Sequence, residues 1–186
     1  MASSFGIQIV DYDPGWPAQA AEAIAELRSA LPGAFAAIEH IGSTAVPGLA
    51  AKPIIDLMAA VEELETFGEH APELGGIGYA RHVNGMVDRL LYVRAVDGVR
   101  SHILHVVTVA SWPTRNQRIL RDFPRRDPDA AARYADLKRR IAATGIAAGG
   151  YAAAKTVLIQ ELTDRARAEL GLAPVPVWEK GTSRVA

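Results

Sequence analysis

The sequence has no cysteine, few aromatic residues (6%), and no apolar run of the length that crosses a bilayer. Without thiols, a disulfide framework, thiolate metal ligation and a cysteine nucleophile are all excluded, so any chemistry must use oxygen or imidazole groups. A bilayer span needs about 18 apolar residues in a row. The opening MASSFGIQIVDYDP also lacks the basic start and apolar centre of a secretory signal, which gives the expectation of a cytoplasmic protein. Aromatic side chains are not interleaved with the basic ones, which argues against a base-stacking nucleic-acid surface. What is present is ordinary for a globular protein: 186 residues, 49% hydrophobic and 22% charged, enough for one sizeable core. The expectation is one domain over residues 1–172 and an irregular tail over 173–186.

A net charge of −1 conceals a polarity along the chain. Residues 1–80 hold eleven acidic side chains against Arg28 and Lys52, whereas residues 112–167 hold twelve basic against six acidic. Such a division suggests docking of opposite charges, a basic wall facing an anionic ligand, or segregated solvated helix faces.

Local signals predict a short strand at Ile7–Val10, then a helix with Asp13 as its cap and Ile24, Leu27 and Leu31 inward, stopped by Pro32-Gly33. Strands are expected at Ala34–Ile41 and Pro53–Val61, joined by an ordered loop, Gly42–Lys52, with at most one helical turn. Glu62–Leu74 reads as one amphipathic helix. Val87–Val96 and Val99–Val109 flank Asp97-Gly98, a hairpin dipeptide that tolerates positive φ at both positions. Helices follow at Trp112–Phe123, at Asp129–Thr144 behind the start signal Asp127-Pro128, and at Gly150–Leu170. A mixed sheet first and helices last makes the class α+β.

The loop carries the chemical signal. A strand ending in Gly42-Ser43 turns sharply with bare amides, so that Ser43, Thr44 and the backbone can hold a phosphate, with Lys52 as a point charge at the far end. Asp56 follows on the next strand and shares a face with Met58 by the period of two. An aspartate inside an apolar strand needs a cation, a metal or backbone donors. His102 and His105, three apart on one strand, point to opposite faces and cannot chelate one ion together, and one of them is expected on the face of Asp56. Each is weighed against a hydrogen-bonded packing role. His40 is a candidate neighbour of the loop on the same terms. Arg89 and Arg100 are candidate phosphate or carboxylate forks, with Arg94 read as a surface residue. Tyr151 and Lys155, four apart, share a helix face. Arg121-Asp122 reads as an ion pair, Arg125 as helix-end solvation, and Asp88 as an exposed hairpin residue, weighed against a second oxygen ligand for a metal.

The segment EHIGSTAVPGLAAKPIIDLM resembles the signature of the GrpB family, a group within the nucleotidyltransferase superfamily that also occurs fused to dephospho-CoA kinases. The resemblance continues from VDYDPGWP through SHILHVV and LRDF to YAAAK. It implies a nucleotidyltransferase-like mixed sheet with helices packed on it and a helical C-terminal portion, and it favours His105 as the functional histidine. A nucleotide or other phosphorylated small molecule is the expected partner, and Asp56 is expected to bind a single Mg2+ or to act as a base. The superfamily pattern has two acids one position apart on this strand. Here Met58 takes the second position, and a thioether is no ligand for magnesium. The expected function is transfer of a nucleotidyl or phosphoryl group to a small acceptor using Asp56 and His105. Phosphate contacts come from Gly42, Ser43, Thr44 and Lys52, and substrate contacts from His40, Arg89, Arg100, His102, Tyr151 and Lys155. The alternatives are a catalytically degenerate nucleotide- or anion-binding module that assists a partner enzyme, and, more remotely, a hydrolase using Asp56 and His105.

Overall fold

The computed structural model describes residues 7–83, 85–86, 88–146 and 148–177, which form two compact units. The first contains the chain before Gly15, the loop Gly42–Pro53 and residues 116–177. The second contains Gly15–Ile41 and Ile54–Arg115.

The second unit is built on a five-stranded mixed sheet. Its strands are β1 (Ala37–Ile41), β2 (Ile55–Val61), β3 (Tyr79–Arg81), β4 (Leu90–Val96) and β5 (Val99–Thr108), in the order β1-β2-β5-β4-β3. β2 and β5 run parallel, and the other neighbours are antiparallel. The hairpin forms as expected, with Asp97 at φ 51° and Gly98 at φ 76°. The start predicted for its first strand at Val87 lies outside the described residues. Helix α1 (Trp16–Ala30) packs on one sheet face through Trp16, Ala20, Ala23 and Leu27. Phe67 meets Phe35 at a tilt and Tyr92 edge to face, with ring centroids 5.4 and 6.3 Å apart. Burying such apolar surface is the main force holding helix to sheet.

The other unit gathers helices α4 (Asn116–Arg126), α5 (Pro128–Ala143), α6 (Ala148–Ala154) and α7 (Thr156–Glu169). Its core joins Ile119, Phe123, Ala130, Tyr134, Leu162 and Ala166 with Val46 and Leu49 of the Gly-Ser loop. Asp127 caps α5, accepting a 2.8 Å hydrogen bond from the Ala130 amide.

Several local expectations are corrected. Val10 makes only an isolated bridge to Ala51, so Ile7–Val10 is no strand: it has no sheet neighbour to extend the pairing. Gly15, not Asp13, precedes α1, and no side chain caps it. The first sheet strand starts at Ala37 rather than Ala34, and the second at Ile55 rather than Pro53. Glu62–Leu74 divides into α2 (Leu64–Gly68) and α3 (Ala71–Gly76), because Pro72 can only enter a helix at its first turn. The last predicted helix divides at Lys155 into α6 and α7. The Trp112 segment begins with a short 3₁₀ turn, Trp112–Thr114, ahead of α4. Residues 173–176 of the tail have no regular structure, and 178–186 lie outside the described residues. Among the described residues no helix is long and apolar enough to cross a membrane.

Candidate functional site

In the sheet unit, register decides which side chains meet. Met58 pairs with His105 across the parallel β2–β5 ladder, and Asp56 lies two residues before Met58 on the same strand. The period of two therefore puts Asp56, Met58 and His105 on one face. The His105 Nε2 stands 3.9 Å from Asp56 Oδ1, too far for a direct hydrogen bond. On the other side of the ring, Arg89 Nη1 lies 3.1 Å from Nδ1. A guanidinium can only donate, so Nδ1 is the acceptor and the ring proton sits on Nε2, directed toward Asp56.

Electrostatics agrees with a neutral ring. Burial pushes the His105 pKa down, and although Asp56 favours the charged form, Arg89 and Arg115 oppose it and the net shift is downward. Arg89 is itself 5% exposed and pushed down to about 10 by burial, helped by the nearby charge of Arg115. Arg115 was not foreseen. It donates through Nη2 to the Asp88 carbonyl at 2.6 Å and through Nε and Nη2 to Ser111 Oγ at 3.1 and 2.9 Å. A lone arginine after a 3₁₀ turn gives no signal in the sequence. With one nitrogen accepting from Arg89 and the other carrying a proton, His105 has no lone pair left with which to act as a base. Asp56, about one quarter exposed, and Glu39, opposite Met58 on β1 and half-buried, are carboxylates on this face.

Other expected site residues fall elsewhere. His40 pairs with Leu57 and His102 with Ile55, so both lie on the opposite sheet face from Asp56. This corrects their grouping with it. There His102 contacts Ser101 Oγ at 3.0 Å and the Tyr79 ring, and burial and Arg94 lower its pKa. Arg100 is exposed near the hairpin turn, opposite Ala95. Arg94, read as a surface residue, instead pairs with Glu26 of α1 at 2.5 Å. Asp88 is exposed, with φ 56°.

Within the helical unit, Gly42 takes φ 73° and ψ −170°, a conformation open in practice only to glycine, and Ser43–Ala45 form the single helical turn expected. Thr44 is buried, whereas Ser43 is half-buried, so of the two hydroxyls only Ser43 is accessible. Arg125 is not merely solvated: its Nε and Nη2 donate to the Ala45 carbonyl at 3.0 and 2.6 Å and tie the loop to α4. Arg121 pairs with Asp122 at 2.7 and 3.0 Å, as expected. Lys52 Nζ lies 4.5 Å from the Tyr151 ring centroid and Lys155 Nζ 4.4 Å from the same centroid. The three therefore meet even though the helix breaks at Lys155.

The residues around Asp56 do not fit a magnesium centre held by the protein. Met58 is fully buried where a second carboxylate would stand, and two guanidinium groups flank the histidine. Among the described residues no three His, Cys, Asp or Glu side chains converge.

The pattern of the GrpB protein family matches residues 6–165. The chain belongs to the GrpB family. A solved GrpB structure from Enterococcus faecalis superposes with a TM-score of 0.81 at 29% identity, covering 88% of this chain and 99% of that one. A UPF0157 protein of Halalkalibacterium halodurans is 32% identical over 164 residues, 87% of this chain and 83% of its own. The chain is also 31% identical to part of a protein named dephospho-CoA kinase from Mycolicibacterium paratuberculosis, where it spans 39% of that length. The GrpB pattern thus occurs both as most of a chain and as part of a longer one.

Proposed function

We propose that this protein binds a nucleotide or a similar phosphorylated small molecule and transfers a nucleotidyl or phosphoryl group from it to a small acceptor. The observation that carries the reading is the Arg89–His105–Asp56 series on one sheet face. In the reaction, the acceptor oxygen forms a bond to phosphorus, the phosphate leaving group departs, and the acceptor's proton passes to the Asp56 carboxylate. His105, held neutral with its Nε2–H toward Asp56, orients that carboxylate. Arg89 sets the tautomer and adds positive charge for the phosphoryl oxygens. The Gly42-Ser43 loop, with Lys52, is proposed from its sequence motif as a phosphate-binding element of the helical unit. No step is assigned to a metal held by the protein; magnesium enters as the ion that a triphosphate carries.

The test follows the phosphorus resonances of a nucleoside triphosphate incubated with the protein and a mixture of small hydroxyl and amine acceptors. Wild type converts it, while Asp56→Asn binds it in calorimetry and does not. Binding that collapses both with chelator and in Asp56→Asn would assign Asp56 to the carried ion instead of the proton. Binding that is indifferent to Asp56, with no turnover in wild type, overturns the reading. It would leave the second one, a nucleotide- or anion-binding module. Met58, sealed in the core at the usual position of a second acid, favours that alternative.

A further inference from the structure

On the helical unit an open groove of about 370 Å³ runs between α5 and the stretch from the end of α6 into α7. Leu137 and Val157 contribute apolar surface to it, and Arg133, Asp136, Arg140 and Glu161 carry its charges, two of each sign. Val157 is 83% exposed, unusual for a β-branched apolar side chain beside a groove. Along α5 the spacing of 133, 136, 137 and 140 puts all four residues on one helix face. Arg133 and Glu161 close on each other across the groove at 2.7 and 2.8 Å. Asp136 and Arg140, one turn apart on the same face, have no hydrogen-bond or ion-pair partner among the described residues. One ion pair is thus made within the chain, and one acid and one base are left open.

We propose that this groove is the docking surface for a second copy of the chain, with α5 lying antiparallel to α5 of the partner about a two-fold axis. A two-fold interface presents the same patch twice, so its charges must complement themselves. Asp136 and Arg140 do so: they stand about 6 Å apart along the helix, and an axis crossing α5 midway between them sets each Asp136 against Arg140 of the partner subunit. One operation makes both pairs. Leu137 then lies close to the axis, and Val157 is withdrawn from water by the facing copy. The apolar burial supplies the attraction, while the rim pairs fix the orientation. A rim of zero net charge gives no attraction to nucleic acid or to an anionic membrane surface, both of which select an excess of basic groups. With α5 only 16 residues long, the contact is at the small end for stable association, so the expected dissociation constant is on the order of tens of micromolar. This surface takes no part in the transfer reaction, and nothing in it depends on Asp56.

Sedimentation velocity of the full chain, from about 1 to about 300 μM, tests it: the wild type should pass from monomer to dimer across that range. Val157→Glu should remain monomeric throughout with an unchanged melting temperature, because the side chain is exposed in the single chain. Asp136→Arg and Arg140→Asp each bring like charges together across the axis and should weaken association about tenfold or more. Mixing these two variants should restore it, since each then supplies the charge that the other lacks. Only contact between two copies of this face predicts that recovery. Glu22→Arg makes the same change of charge on an exposed position of α1 and should leave association as it was. A wild type that stays monomeric at every concentration overturns the proposal and leaves the groove to a different protein partner. A dimer that is indifferent to Val157→Glu, or a mixture of the two charge variants that fails to recover, overturns it as well.

Discussion

Both units pair their surface arginines with acids, but their buried cations meet different surroundings. In the sheet unit Arg89 meets His105, His105 faces Asp56, Arg94 meets Glu26, and Arg115 finds a carbonyl and a hydroxyl. In the helical unit like charges are brought together, with Lys138 and Lys155 on the Tyr134 ring and Lys52 and Lys155 on that of Tyr151. A cation with an acceptor is held in place, while a buried ammonium among like charges, such as Lys138, is costly to keep charged. Variants in the two units should therefore separate the proposed chemistry from the energetics of the buried lysine.

The largest expected effect is on turnover. Asp56→Asn should lower transfer about a hundredfold or more while leaving the melting temperature close to wild type, because the carboxylate is partly exposed and packs little apolar surface. A large loss of stability instead would make Asp56 a structural residue and break the division of roles. Next, Leu49→Ala should cost roughly 2–5 kcal/mol in urea denaturation, since this loop residue is buried in the helical core. A cost under about 1 kcal/mol would show that the loop does not belong to that core. Gly42→Ala should follow at about 1–3 kcal/mol, because its φ of 73° with extended ψ strains any residue with a Cβ.

The pH dependence sharpens the contrast further. Lys138 has a folded pKa of about 7 against an ordinary value of 10.5. Between those values the unfolded chain binds a proton that the folded chain lacks, so stability rises with pH across this window and the penalty is fully present below it. Wild type should therefore gain stability from pH 7 to 10 relative to Lys138→Met, and parallel curves would contradict the burial of a charge there. His105 shifts in the same direction around its own lower range: stability should fall as pH drops through the ordinary histidine value and level off below the folded one. The smallest effect is that of Arg125→Ala, about 1 kcal/mol, from loss of the two hydrogen bonds to the Ala45 carbonyl.

The signals that held in the sequence are short-range ones. Asp97-Gly98 placed the hairpin because positive φ is a property of the dipeptide, and Asp127-Pro128 placed the start of α5 because cap and first-turn proline act within one turn. The Gly-Ser segment, with Asp56 and Met58 on one face, was likewise legible, and with it the family. Errors arose where a local pattern competed with a nearby break, as at Pro72 and at Lys155, or where strand pairing needed a partner far away, as at Ile7–Val10.

By itself, then, the sequence determined the α+β order, the loop, and the placing of Asp56 and Met58 on one face of their strand. It also determined that His102 and His105 face opposite ways, since alternation is a property of a single strand. Only the tertiary structure decided that His105 is the one beside Asp56, because that depends on the register between β2 and β5. It also decided that the loop packs its Val46 and Leu49 with helices some seventy residues later, and that the Lys138 ammonium is buried with no hydrogen-bond partner among the described residues. Register, docking and desolvation are relations between distant segments, and no window of the chain contains them.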